Sequence, residues 1–185
     1  MQKAQRPVIA LGTFDGLHPG HRAVLRACME LARQKGEPSM VYTFLENPRS
    51  LFGQAPLEIM RAPEKIRRMQ ALGIERVEAV HFTKALSALS PEAFIDMLCT
   101  SYDPCALVCG ADYSFGAGGR GDSRLLTELG AQRGLEIRVV PLVTLPGEDG
   151  QIEKISSTRI RRALEQGDRA EAARLMCGGE AQNGG

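Results

Sequence analysis

Five short apolar runs set the rhythm of the chain. Residues 7–11 (PVIAL), 39–44 (SMVYTF), 76–82 (RVEAVHF), 105–109 (CALVC) and 135–142 (LEIRVVPL) read as strands. Between them the apolar positions recur every three or four residues. In HRAVLRACMELARQKG, residues 21–36, Val24, Cys28, Leu31 and Ala32 share one helical face, and Gly36 is a stop signal. APEKIRRMQALG (62–73) opens with Pro63 and closes on Gly73. SPEAFIDMLCTSY (90–102) opens with the cap-like Ser90, then Pro91 and Glu92. DSRLLTELGAQRG (122–134) is a further amphipathic segment, and EKISSTRIRRALEQGDRAEAARLM (153–176) supplies short C-terminal helices. Strands alternating with helices predict an α/β fold: a parallel sheet with helices on both faces. There is no internal repeat and no low-complexity linker. Residues 1–178 are expected to form one domain, and residues 179–185 a disordered tail.

Composition narrows the partners. The 185 residues carry a formal net charge of +1. No global field favours nucleic acid or an anionic membrane surface, so any anion site must be local. No apolar run approaches the ~20 residues of a membrane span, and MQKAQRPVIALG does not read as a signal peptide. The five cysteines are odd in number and lack a C-x-x-C pair. That composition predicts a reduced, cytoplasmic chain. Cys105 and Cys109 are expected to be small core residues on one face of their strand.

The chemistry concentrates where the first strand ends. GTFDGLHPGH, residues 12–21, joins a strand to a helix through a glycine-rich turn. Gly12 and Gly16 allow close approach of backbone to a phosphate, and the helix start offers unpaired N–H groups and a positive dipole end. His18 and His21 stand three apart, on one face of the first turn, and both can donate to phosphate oxygens. The pair lacks a third metal ligand nearby, so no metal site is expected. The turn is neither a Walker loop nor G-x-G-x-x-G. Thr13, Phe14 and Asp15 complete it; Asp15 reads equally as a ligand contact or as a turn residue bonding its own backbone. A second candidate is ISSTRIRRAL, residues 155–164. Ser156, Ser157 and Thr158 can cap a helix, and Arg159, Arg161 and Arg162 can clamp phosphate.

GTFDGLHPGH resembles the H-x-G-H signature of the nucleotidyltransferase superfamily, and SSTRIR resembles its second, basic signature. Within that superfamily, VCGADYSFGAGGRGD (108–122) is similar to the middle of bacterial FAD synthetases, and the likeness runs over about residues 7–178. The resemblance implies a Rossmann-like nucleotidyltransferase fold and transfer of the adenylyl group of ATP to FMN, with Mg²⁺ travelling on the ATP phosphates. It implies that His18, His21, Arg159 and Arg161 stabilise the reacting phosphates. Gly12, Thr13, Phe14, Asp15, Gly16, Gly110, Asp112, Tyr113, Ser156, Ser157 and Thr158 would hold the nucleotide. Phe115 reads as core or as ligand contact, and Arg120 as a phosphate contact or a solvated loop residue. The family's T-F-x-P-H-P loop is altered here to TFLENPRS: Asn47 stands for the histidine, while Pro48 remains and Arg49 can supply charge. That change leaves open an adenylyltransferase for another phosphorylated acceptor, or a non-catalytic ATP- or flavin-binding domain. The family's riboflavin kinase domain follows this point in other members and is not expected in these residues.

Overall fold

The computed structural model describes residues 5–146 and 151–178. In chain order the elements are β1 (Val8–Leu11), α1 (Pro19–Lys35), β2 (Ser39–Phe44), α2 (Ala62–Ala71), β3 (Arg76–Val80), α3 (Lys84–Ser87), α4 (Pro91–Tyr102) and β4 (Ala106–Gly110). They continue with β5 (Ser114–Phe115), β6 (Gly121–Asp122), α5 (Ser123–Gln132), β7 (Glu136–Val140), β8 (Thr144–Pro146), β9 (Ile152–Lys154), α6 (Ser157–Glu165) and α7 (Arg169–Cys177). Five strands form one sheet in the order β3-β2-β1-β4-β7. Every pairing in it is parallel, with Ile9 opposite Met40 on one side and Leu107 on the other.

The sheet is buried on both faces, which explains why its central strands lack polar alternation. Along β1, Val8 and Ala10 pack on the side of α1 and α2, with Val24, Leu25, Cys28 and Met69. Ile9 and Leu11 pack on the opposite side, with Phe94, Ile95, Leu98 and Leu126 of α4 and α5. A smaller cluster of Ile155, Ile160 and Leu175 seats α6 and α7 against the rest.

The strand order reverses between β1 and β4, because β1 passes by α1 to β2 on one side while β4 lies on the other. Chains leaving the carboxyl ends of β1 and β4 therefore diverge and open a crevice, the usual ligand position in such sheets. Strands β3 and β7 end earlier than their apolar runs suggest. His81 and Phe82 after β3, and Pro141 and Leu142 after β7, leave the sheet at this same edge.

One expectation needs revision, and two features lie beyond the sequence reading. Cys105 precedes β4 and packs with the α1 side, while Cys109 packs with the α4 side, so the two do not share a face. The β5–β6 and β8–β9 antiparallel hairpins are too short to show a periodic signal. The expected tail, 179–185, lies outside the described residues. Among those described, no helix is long and apolar enough to cross a membrane.

Candidate active site

A cavity of about 730 Å³ occupies the crevice. Its walls include Gly12, Thr13, Phe14, His18 and His21 from the turn after β1, and Gly110, Asp112 and Tyr113 after β4. Ser156, Ser157, Thr158 and Arg161 line it from the start of α6, and Asn47, Pro48 and Arg49 from the segment after β2. Four stretches that are distant in sequence thus meet at one edge of the sheet.

The turn is held by its own side chains. Phe14 and Leu17 adopt positive φ, 53° and 46°, as does Gly16 at 84°. Such a conformation costs a non-glycine residue about 1 kcal/mol or more. Burial of both side chains offsets it, Phe14 at 1% and Leu17 at 6% exposure. A Cβ on Gly12 would lie 3.0 Å from the Phe14 ring, so glycine lets that ring cover the backbone. A Cβ on Gly20 would lie 3.1 Å from the His18 ring. Gly20 therefore lets the His18 imidazole lie over the first turn of α1, a role not evident from H-P-G-H as a string.

His18 caps α1, its Nδ1 accepting from the His21 backbone N–H at 3.4 Å. The two imidazoles stack at 3.6 Å between centroids and 21° between planes. Phe14 meets His21 edge-on at 5.4 Å. Burial lowers the pKa of His18 from 6.5 to about 4, with Lys154 and Arg22 acting in the same direction. His21 is lowered well below its usual value, first by burial and then by His18, Lys65 and Arg161. Both rings are therefore neutral at pH 7. Because His18 Nδ1 accepts, its proton is assigned to Nε2. His21 Nδ1 is buried and has no partner in the protein, the state of a polar group that a ligand completes.

Burial of neutral His18 has a consequence for stability. The unfolded chain binds a proton near pH 6.5 and the folded site resists it until about pH 4. Stability should fall as pH drops through that window, by up to about 3 kcal/mol from this residue. Urea unfolding at pH 7 and 4.5 should show a smaller loss in His18→Gln than in the parent. Equal losses would mean that His18 does not titrate in this way.

The second basic segment is divided in function. Ser156 caps α6, its Oγ accepting from the Arg159 N–H at 3.3 Å. Ser157 Oγ donates to the Asp15 carbonyl at 2.9 Å, binding the α6 start to the turn. Arg161 meets Asp15 at 2.7 Å and donates from Nε to the Leu57 carbonyl at 2.9 Å. Both members of that ion pair are only 11% exposed.

Several expected contacts are placed elsewhere. Arg159 does not line the cavity; its guanidinium pairs with Glu153 and, at 2.6 Å, with Glu171, joining α6 to β9 and α7. Asp15 bonds neither its own turn nor open space. Its carboxylate accepts from the N–H groups of Ile59 and Met60 at 3.2 and 3.1 Å, besides facing Arg161. Gly16 faces Ile59, where a Cβ would lie at 2.8 Å, rather than the cavity. Phe115 is buried at 5% and also reaches the cavity, stacked on Tyr113 at 5.7 Å. Arg120 turns back to the Ala117 carbonyl at 3.1 Å.

Two lysines were not anticipated. Lys154 lines the cavity and pairs with Asp112 at 2.5 Å, spanning the crevice between β9 and the segment after β4. Lys65 lies beneath the turn, 5% exposed. Its signal was present: Lys65 and Met69 share the buried stripe of α2.

The chain matches the FAD synthetase family model over residues 1–159. It is 37% identical over 169 residues to a Geobacillus thermodenitrificans protein provisionally named a bifunctional riboflavin kinase/FMN adenylyltransferase, covering 91% of this chain and 88% of that one. It is 36% identical to the Listeria monocytogenes and Escherichia coli proteins of the same bifunctional name, over 177 and 172 residues. Each match covers 91% of this chain but spans only 53% of the relative's length. Among solved structures, a Streptococcus pneumoniae protein described as a macrolide-efflux protein superposes with a TM-score of 0.80 at 29% identity, over 95% of this chain and 56% of that one. A pantoate-β-alanine ligase from Francisella tularensis shares the fold, with a TM-score of 0.53 at 13% identity, over 95% of this chain and 80% of its own.

Proposed function

This chain belongs to the FAD synthetase family, and from that membership we propose that it is an FMN adenylyltransferase, making FAD and pyrophosphate from FMN and ATP. The observation that carries this reading is the stacked, neutral His18–His21 pair at the α1 start, set in one cavity with the start of α6. Two helix N-termini directed to one cavity suit a polyanion.

A phosphate oxygen of FMN would form the new bond to the α-phosphorus of ATP while the α–β bridging bond breaks. Pyrophosphate leaves with the bonding electron pair. The attacking group is already an anion, so the protein need supply neither nucleophile nor base. Its work is positioning and stabilisation of growing charge. His18, through Nε2–H, and His21 would donate to oxygens on the α-phosphorus without first taking up a proton. The Ser156 and Thr158 hydroxyls and the backbone N–H of Ser157, whose own hydroxyl is given to the Asp15 carbonyl, would hold the β- and γ-phosphates at the α6 start, with Arg161 fixed beside them by Asp15. Gly110, Asp112 and Tyr113 would line the nucleoside.

Among the described residues, no group of three histidine, cysteine or carboxylate side chains converges on one point. Asp15 and Asp112 each already face a cation. A divalent ion such as Mg²⁺ would be carried to this site by the nucleotide and would offset the phosphate charge there.

The test is incubation of the chain with ATP, Mg²⁺ and FMN, with flavins separated by chromatography and pyrophosphate recorded. Equal amounts of FAD and pyrophosphate are expected. Pyrophosphate released only with a different phosphorylated acceptor would transfer the assignment to that acceptor. Nucleotide binding without any transfer would leave a binding domain.

The altered loop is the place to examine FMN affinity. Asn47 Oδ1 accepts from the Arg49 N–H at 3.0 Å and caps the short 3₁₀ turn Pro48–Phe52, leaving its amide NH₂ and the exposed Arg49 guanidinium for a phosphate. Loss of a charge-assisted bond costs about 1 kcal/mol or more. Arg49→Ala should weaken FMN binding about fivefold, and salt should weaken the parent similarly. Asn47→His should bind FMN as well as the parent or better. Titration with an ATP analogue and Mg²⁺ present decides this; unchanged affinity in Arg49→Ala removes the loop from the acceptor site.

A further inference from the structure

Lys65 is a buried ammonium whose three acceptors are all neutral. Its Nζ donates to the Thr13 carbonyl at 2.9 Å, to the Phe44 carbonyl at 2.8 Å and to Thr43 Oγ1 at 3.5 Å. Thr43, fully buried, donates in turn to the same Thr13 carbonyl at 3.1 Å. Thr13 belongs to the phosphate turn. Phe44 is the last residue of β2, immediately before the segment that carries Asn47 and Arg49. One buried side chain therefore joins the roots of the two segments that face ATP and the acceptor. An apolar residue of similar size would fill the same space without the cost of desolvating a charge. Asp15, Glu58 and Glu46 act on Lys65 from a distance, yet burial still lowers its pKa. Its field also reaches His21, where it helps keep the imidazole neutral.

We propose that Lys65 is a positioning residue for adenylyl transfer: it fixes the phosphate turn and the acceptor loop in one register from beneath the cavity floor, and its buried charge is matched when the triphosphate binds above it. The proposal rests on the nucleotidyltransferase reading of the cavity. It does not make Lys65 a substrate ligand, since its donors are taken up by the backbone and Thr43.

Three variants separate packing, hydrogen bonding and charge. Lys65→Met keeps the shape, Lys65→Gln keeps a donor without charge, and Lys65→Arg keeps both. Triphosphate affinity is read first, by calorimetry with a non-hydrolysable ATP analogue and Mg²⁺ and no acceptor. Lys65→Met and Lys65→Gln should bind about tenfold more weakly than the parent, and Lys65→Arg should recover most of that loss. FMN affinity is then read with and without the analogue. In the parent the analogue should strengthen FMN binding; in Lys65→Met and Lys65→Gln that coupling should fall toward one, with kcat lowered about tenfold. A residue that only supports the fold would lower Tm and leave the coupling intact at 25 °C.

Should Lys65→Met not fold, the Gln and Arg variants carry the comparison alone. Parent-like triphosphate affinity and coupling in the Gln variant would overturn the proposal. So would a parent that does not bind the analogue. If the parent binds the analogue but makes no FAD, the acceptor assignment fails, and the calorimetric arm still decides the role of Lys65.

Discussion

Replacing His18 or His21 by alanine is expected to lower kcat at least about a hundredfold, the scale of losing one donor aimed at charge that grows in the transition state. The geometry makes each imidazole a neutral donor on the cavity wall. The rings stack at 3.6 Å, Phe14 closes one edge, and burial keeps both unprotonated at neutral pH. KM for ATP should change less than kcat, because on the proposed reading ground-state phosphates would keep the α6 contacts while the reacting α-phosphorus would lose its donor. The folds should survive. His18 caps α1 through a long 3.4 Å bond, worth about 1 kcal/mol at most, and His21 Nδ1 makes no bond within the protein. Steady-state rates, with Tm measured alongside, check this. Near-normal turnover in both variants would remove the turn from the chemistry.

Removing the Asp15 carboxylate is expected to be the most costly change to stability. Asp15→Ala strands the Arg161 guanidinium at 11% exposure and leaves the N–H groups of Ile59 and Met60 without their acceptor. Breaking one side of such a pair costs about 3 kcal/mol, or a Tm lower by roughly 6–12 °C for a chain of this size. Arg161→Ala should cost less stability, because Asp15 keeps its two backbone donors, but should depress turnover more. Urea unfolding of both single variants and of Asp15→Ala/Arg161→Ala gives the coupling between the two. If the single losses add to within about 0.5 kcal/mol, the pair does not act as a unit. Arg159 offers the contrast. Its partners are Glu153 and Glu171 rather than the cavity, so its alteration bears on how α6 and α7 hold together.

Residue types and spacing alone were enough to place the five sheet strands, the longer helices between them and the glycine turn with its two histidines, but not the single turn α3. These features are local: a strand needs only a run of a few apolar residues, and a helix start needs only a cap, a proline and an amphipathic stripe. His18 and His21 face one cavity because His18, the extended cap before α1, lays its ring over the first turn of the helix and onto His21. The start of α6 was legible for the same reason, since Ser156 and its hydroxyl neighbours are a cap in any context. Which cation serves which anion was not legible, because those pairings join residues far apart in the chain. Arg161 meets Asp15 across 146 positions, Ser157 meets the Asp15 carbonyl across 142, and Lys154 meets Asp112 across 42. Arg159 and Arg161 stand two apart in SSTRIRR and look equivalent, yet a helix turns them about 200° from one another, so one faces the cavity and the other faces α7. Lys65 shares its helical stripe with Met69, but nothing in the sequence shows that its charge is buried. Only the packing of α2 against the ends of β1 and β2 buries it and gives its ammonium the carbonyls of Thr13 and Phe44. Sequence alone thus determined the sheet strands, the longer helices and the chemical groups at their ends; the tertiary structure decided the short hairpins and which of those groups are held against one another, because both depend on the distances closed by the sheet.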